Sequence, residues 1–250
     1  MLKDIAAAFQ FLTRLPLARL GYAPDALSRS AKFFPLVGAV IGLAVAAVFQ
    51  LLAPHLPAPS LSPMIAALLA VLFSILLTGG LHEDGLADAA DAFGGGWSRE
   101  HVLTILKDSR VGTYGALALV GSVLLRTLLL ASLPAERFAS YVISAHVLCR
   151  WTVLPLAYAL APARQDTGQG SRVARQISIA SLAIGTLFTA VIAGYLLRGS
   201  VWIPAAAALA ITLLSGLYYR YRIGGVTGDC FGATTQLTEI AVYLCGVWRA

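Results

Sequence analysis

Charge is what this 250-residue chain has least of: Asp, Glu, Lys and Arg together make up 12% of it, against about 25% in an ordinary soluble domain. With 58% of residues hydrophobic and a mean hydropathy of +0.80, a soluble globular fold is excluded. Cysteine is scarce as well. Cys149, Cys230 and Cys245 lie far apart and lack C-x-x-C spacing, so neither a disulfide frame nor a zinc site is indicated. The N-terminus has no continuous apolar stretch leading to a small-residue cleavage site, and it reads as retained. The net charge of +6 comes from thirty charged side chains scattered through apolar sequence. No basic stripe results, and no nucleic-acid partner is expected.

What the chain has in abundance is apolar runs near the roughly 20 residues needed to cross a bilayer. They fall at 33–52, 64–81, 112–133, 138–160, 178–197, 201–219 and 231–248. The pattern predicts an all-α, polytopic membrane bundle of about seven transmembrane helices, forming one domain over 1–250. Summing Lys and Arg over the connections orients it. One side collects thirteen: Lys3, Arg14, Arg19, Arg29, Lys32, Arg99, Lys107, Arg110, Arg164, Arg172, Arg175, Arg220 and Arg222. The other receives Arg137, Arg198 and Arg249, while Arg126 and Arg150 sit inside spans. The N-terminus and the 82–111 connection are therefore expected in the cytoplasm. Leu2, Ile5, Phe9 and Leu12 share one face of residues 1–15, which predicts a helix lying in the membrane interface. Pro54, Pro57, Pro59 and Pro63 mark a short outer loop. Gly38 and Gly42 have the spacing of a close helix contact, or a coincidence in a chain with 23 glycines.

Against this background Glu83, Asp84, Asp88 and Asp91 place four carboxylates within nine residues. On a helix Asp84, Asp88 and Asp91 stand at i, i+4 and i+7 and project within about 60° of one another. A solvated acidic face is normally interleaved with Lys or Arg, and here it is not. Three like charges on one face need a cation, and a divalent metal carrying phosphate oxygens suits convergent hard ligands. Residues 82–111 thus form a candidate catalytic segment.

Three further polar motifs are expected on the same side. Lys107, Asp108 and Arg110 precede a glycine-containing helix start, where Lys107 offers a point charge and Arg110 a planar fork for phosphate; membrane anchoring is the plainer alternative. Thr227 and Asp229 lie in a Gly-rich turn before the last run, Asp229 completing a metal shell or acting as base. Thr13-Arg14 is a short additional contributor. His82 either touches substrate or merely caps its helix or faces water. Within the spans, Arg126 can snorkel outward, whereas Arg150, with His146 one turn deeper, is placed to face a wet cavity. There it binds a phosphate or a carboxylate such as Glu239, or else the two form a packing pair.

The runs Gly79–Asp91, Lys107–Gly115, Phe11–Pro16 and Gly228–Ala233 resemble, in order, the signature segments of the cobalamin synthase (adenosylcobinamide-GDP ribazoletransferase) family. The resemblance covers 11 to about 240 and is weakest at 161–177. It implies the last step of nucleotide-loop assembly at the bacterial inner membrane. A ribose hydroxyl of α-ribazole or its 5′-phosphate attacks the cobinamide-bearing phosphate of adenosylcobinamide-GDP, GMP leaves, and Mg²⁺ is required. On this reading Asp84, Asp88 and Asp91 hold Mg²⁺ with Glu83 as ligand or neighbour. Lys107, Arg110 and Arg150 bind the diphosphate, and Asp91 or Asp229 takes the proton. Arg14, His82, Asp108, His146 and Thr227 complete the expected substrate contacts. Homo-oligomerisation is left open. The alternatives are a CDP-alcohol-type phosphotransferase of lipid synthesis and, more distantly, a secondary transporter.

Overall fold

The computed structural model describes residues 1–16, 26–56, 60–164 and 177–248. Arg19, Pro57, Pro59, Arg172, Arg175 and Arg249 lie outside the described residues. The described chain folds into twelve α-helices and no strands: α1 (Leu2–Leu12), α2 (Ala26–Ser30), α3 (Phe34–Leu52), α4 (Ser62–Thr78), α5 (Leu81–Gly95), α6 (Arg99–Ile105), α7 (Thr113–Ser132), α8 (Ala135–Trp151), α9 (Val153–Ala159), α10 (Ile179–Leu197), α11 (Trp202–Ile223) and α12 (Gly228–Trp248). Five helical stretches are long and apolar enough to cross a membrane, or six if the bent pair α4–α5 is one span. Leu43, Leu76, Leu117, Leu187 and Leu214 stand exposed on their outer faces, as lipid-facing residues do. This is a multi-pass helical membrane protein.

Two of the seven expected spans differ. The run 64–81 is interrupted after Thr78, where Gly79 and Gly80 both adopt left-handed φ values of 69° and 70°. That conformation costs an L-residue about 1–2 kcal/mol and glycine almost nothing. Gly79 N–H donates to Leu76 O and Gly80 N–H to Ile75 O, which closes α4. The chain then turns by 92° into α5. With its acidic residues and its departure from the line of α4, α5 is read as lying outside the spans.

The run 231–248 does form a long helix, α12, but it is not among those apolar enough to span. Its Thr234, Thr235, Gln236, Thr238 and Glu239 are all buried, because α12 is the centre of the bundle and packs on α5, α7, α8, α9 and α11. Polar residues inside it face protein instead of lipid.

Close packing comes from glycine at two contacts. Gly38 and Gly42 press α3 onto α8: a Cβ at Gly38 would strike His146 O, and one at Gly42 would meet Ile143 Cα at 2.7 Å. The GxxxG spacing is therefore a real contact. Gly85 of α5 and Gly232 of α12 meet in the same manner, a Cβ on Gly232 lying 3.0 Å from Gly85 Cα. α1 is docked on α2 and α3 by buried Ala7, Ala8 and Leu12 and by Asp4, which ion-pairs Arg29 and Lys32 at 3.6 Å each.

Candidate active site

The glycine contact between α5 and α12 decides where the acids go. It brings the first turn of α12, with Asp229, against α5, and Asp88 feels the charges of Asp84, Asp229 and Asp91 in that order. Burial, reinforced by those three carboxylates, pushes the Asp88 carboxyl up to about 7. Asp229 is oriented by Thr227, whose hydroxyl donates to Asp229 Oδ2 at 3.2 Å, and by Arg164 Nη2 at 3.8 Å. Thr227 itself is buried and accepts the N–H of Cys230, so it serves the start of α12 and Asp229. Arg164 is brought there by a short bridge between Pro162 and Val226, with Ala163 N–H donating to Val226 O at 2.9 Å.

Arginines tie down this end of the bundle. Arg99 donates to Ile223 O (2.9 Å) and Ala163 O (3.1 Å), and Arg222 donates to Gly96 O (2.7 Å).

Asp91 has another task. Its two oxygens accept the backbone N–H groups of Gly112 (2.7 Å) and Gly115 (2.9 Å) at the start of α7. A carboxylate there complements the positive helix end. Asp91 thereby clamps the 106–112 loop onto α5, and this corrects the expectation that it is free to act as base or principal ligand.

Two cavities meet at Asp84. A polar cleft of about 600 Å³ is lined by Thr13, Arg14, Gly79, Gly80, Asp84 and Val111 among others. A smaller chamber of about 150 Å³ is lined by Phe11, Phe34, His82, Asp84, Val153, Asp229 and Phe231 among others. Arg14 is positioned by its N–H bond to Leu77 O (2.7 Å), and its side chain covers Gly79 where any Cβ would intrude. No ion pair occupies its guanidinium among the described residues. His82 is buried on the chamber side, so it neither caps α5 nor faces water; burial first, then Arg150, His146 and Arg126, hold its imidazole well below the usual histidine range.

A family model described as cobalamin-5-phosphate synthase matches residues 4–247. The chain belongs to the cobalamin-5-phosphate synthase family. Curated relatives carry the name adenosylcobinamide-GDP ribazoletransferase. That of Azorhizobium caulinodans is 44% identical, covering 99% of this chain and 96% of its own length. That of Polaromonas sp. is 39% identical (97% and 95%), and that of Leptothrix cholodnii is 40% identical (96% and 94%). No solved structure matches.

In this cobalamin-5-phosphate synthase family member, several expected substrate contacts lie elsewhere. Arg110 is exposed and its fork is filled by Asp108, with Nη2 to Oδ2 at 2.6 Å and Nε to Oδ1 at 3.0 Å; the guanidinium holds the Asp108 carboxyl down at about 2. Neither they nor Lys107 line the cleft or the chamber.

Glu83 borders the cleft, but its Oε1 is committed to Arg126 Nη2 (3.0 Å) and Gln236 Nε2 (3.1 Å), so it is not available as a metal ligand through that oxygen. Arg126, expected to snorkel outward, is 1% exposed and also pairs Glu239 at 3.5 Å. Glu239 thus finds Arg126 and makes no ion pair with Arg150. Arg150 is buried against His146 Nδ1 (2.9 Å) and Cys149 Sγ (3.2 Å), and neither Arg150 nor His146 lines the cavities. A wet, cytoplasm-opening position for Arg150 is corrected accordingly. Two acids, Glu83 and Glu239, and two guanidiniums make this interior cluster neutral overall.

His146, Cys149 and Glu239 have ligand atoms within 4.8 Å of one another. Guanidiniums against each of the three groups make that cluster a poor cation site. Asp84, Asp88 and Asp229 suit Mg²⁺ better: their oxygens are hard, and the repulsion that raises Asp88 is what a divalent cation relieves.

Proposed function

We propose that the protein is the membrane transferase that joins α-ribazole, or its 5′-phosphate, to adenosylcobinamide-GDP with release of GMP. The observation that carries this reading is the approach of Asp229 on α12 to Asp84 and Asp88 on α5, with Asp84 lining both cavities and Asp229 the smaller one, in a chain of this family. Asp84 and Asp88 would hold Mg²⁺, which would neutralise charge on the diphosphate oxygens and on the departing GMP.

The chain's own residues do the rest. Arg14 grips the diphosphate in the polar cleft through its planar fork. Asp229 accepts the proton of the attacking ribose hydroxyl, because Asp91 is engaged by two backbone amides while Asp229 borders the chamber and is aimed by Thr227. The hydroxyl oxygen bonds to the phosphorus that bears cobinamide, and the bond from that phosphorus to the bridging oxygen breaks. GMP takes the electron pair. Holding both substrates at Asp84 turns the displacement into an effectively unimolecular event.

The excess of Lys and Arg that the sequence assigns to the side of the acidic segment supports a cytoplasmic active site and N-terminus in the bacterial inner membrane, where nucleotide substrates are available. Purified protein incubated with adenosylcobinamide-GDP, α-ribazole and Mg²⁺ is expected to yield a cobalamin and GMP by chromatography. Absence of both, or release of CMP from a CDP-alcohol substrate instead, overturns the assignment.

A further inference from the structure

We infer that the small chamber beside Asp84 is the subsite for the flat aromatic base of the ribazole substrate, and that the polar cleft on the other side receives the diphosphate donor. The inference rests on the proposed reaction and assigns which substrate enters which cavity.

The two cavities share Phe11, Leu81 and Asp84, and differ in the rest of their walls. One is open, contains Arg14 and the Gly79-Gly80 turn, and has the volume of a cleft for a large polar ligand. The other is walled by Phe11, Phe34, Leu81, Val153 and Phe231, with Phe11 and Phe34 stacked at 5.6 Å between ring centroids. Its volume of about 150 Å³ is roughly ten times the 10–15 Å³ that admits a single water. It accommodates a small planar ring system and excludes a corrin.

Aromatic walls favour an aromatic guest through offset or edge contacts worth about 0.5–1.5 kcal/mol each beyond burial. Guanine is the competing flat base, and with Asp84 and Asp229 occupied by the reaction itself the remaining lining offers it few partners. Guanine's edge presents several donors and acceptors that must be matched on leaving water. Among the chamber's neutral side chains the polar ones are His82 and Thr235, and the Thr235 hydroxyl already donates to Cys149 O. A ring nitrogen of His82 on the chamber wall can donate to the one unsubstituted ring nitrogen of an N-ribosylated benzimidazole. A base seated here also leaves its ribose at the rim, where Asp84 and Asp229 stand, so the nucleophilic hydroxyl lies beside the carboxylate proposed to accept its proton.

Val153, 6% exposed on the chamber wall, provides the test. In steady-state assays, Val153→Phe is expected to raise KM for α-ribazole at least tenfold while leaving KM for adenosylcobinamide-GDP within twofold. Val153→Ala is expected to shift the kcat/KM ratio at least threefold toward α-nucleosides with a bulkier base. A rise in the KM of adenosylcobinamide-GDP, alone or in equal measure, places guanine or neither base in the chamber and overturns the inference. Should Val153→Phe fail to fold, an unchanged base preference in Val153→Ala overturns it and a shifted one supports it. If wild-type protein releases no GMP, the reaction assignment falls by itself. Equilibrium binding of labelled α-ribazole to wild type and Val153→Phe then still decides the chamber, with equal affinity against the inference and weakened affinity for it.

Discussion

Asp88 is the residue whose chemistry is most displaced from ordinary behaviour, since three neighbouring carboxylates and partial burial raise its carboxyl to about 7. The folded state therefore binds a proton there that the unfolded chain, near 3.8, has already lost. Without metal, the stability contributed by this protonation is full below the unfolded value and is lost as pH rises through about 7. Mg²⁺ competes with the same proton, so its apparent affinity is expected to climb between about pH 6 and pH 8. A Mg²⁺ titration at several pH values checks this, and Asp88→Asn is expected to weaken binding and flatten the dependence. Arg126 makes a prediction of a different kind. Arg126→Met leaves Glu83 buried without its cation, a loss of about 3–5 kcal/mol, and thermal unfolding in detergent should register it. Adding Glu83→Gln is expected to recover part of that loss, because the stranded charge is removed as well. The acid cluster itself was legible from sequence, since uncompensated carboxylates in apolar surroundings are conspicuous. The partners of Arg126 were not. An arginine within an apolar run announces that it needs an acid, but which acid depends on helix azimuth and depth, and depth alone matches Glu239 to Arg150.

At the scale of elements, the contact that builds the site is α5 against α12, made possible by the absence of side chains at Gly85 and Gly232. An alanine at position 85 would place its Cβ 3.0–3.1 Å from the backbone of Asp229 and from Gly232 Cα. Backbone on both sides cannot yield like a flexible side chain, so Gly85→Ala is expected to cost about 1–3 kcal/mol. Separating Asp229 from Asp84 and Asp88 should lower kcat by about 10²-fold or more. Measured kcat in folded Gly85→Ala protein tests this; a variant with lowered stability and unchanged turnover would remove α12 from the site. Periodicity identified the long helices because lipid-facing leucines dominate them. It could not locate the 92° turn after α4, since paired glycines are compatible with both a bend and a continuous apolar run. Nor could it show that α12 is central: hydropathy measures what a helix contains, and α12 hides its polar residues against other helices.

For the whole molecule, the architecture is a lipid-compatible shell around a polar interior that opens at one end. The neutral Glu83, Glu239, Arg126 and Arg150 cluster lies beneath the acidic site, and Glu83 is the immediate chain neighbour of Asp84. Packing of α7, α8 and α12 is thereby coupled to the carboxylates proposed to hold Mg²⁺. Of the two basic loop residues read as phosphate ligands, Arg110 is tied up by Asp108, while Arg14, which only the short Thr13-Arg14 signal suggested, lines the cleft. Isolated motifs could not rank the site's cations, because exposure and pairing are properties of the folded surface. The central claim is that Asp84 and Asp88 form a metal-dependent centre for transfer of the cobinamide phosphate from GMP to ribazole. Its most direct measurement is GMP release against cobalamin formation as Mg²⁺ is titrated, in wild type and in Asp84→Asn/Asp88→Asn. One GMP per cobalamin, dependent on Mg²⁺ and reduced at least about 10²-fold in the double variant, is the predicted result. Undiminished transfer in that variant, or transfer in the absence of any divalent metal, would contradict it.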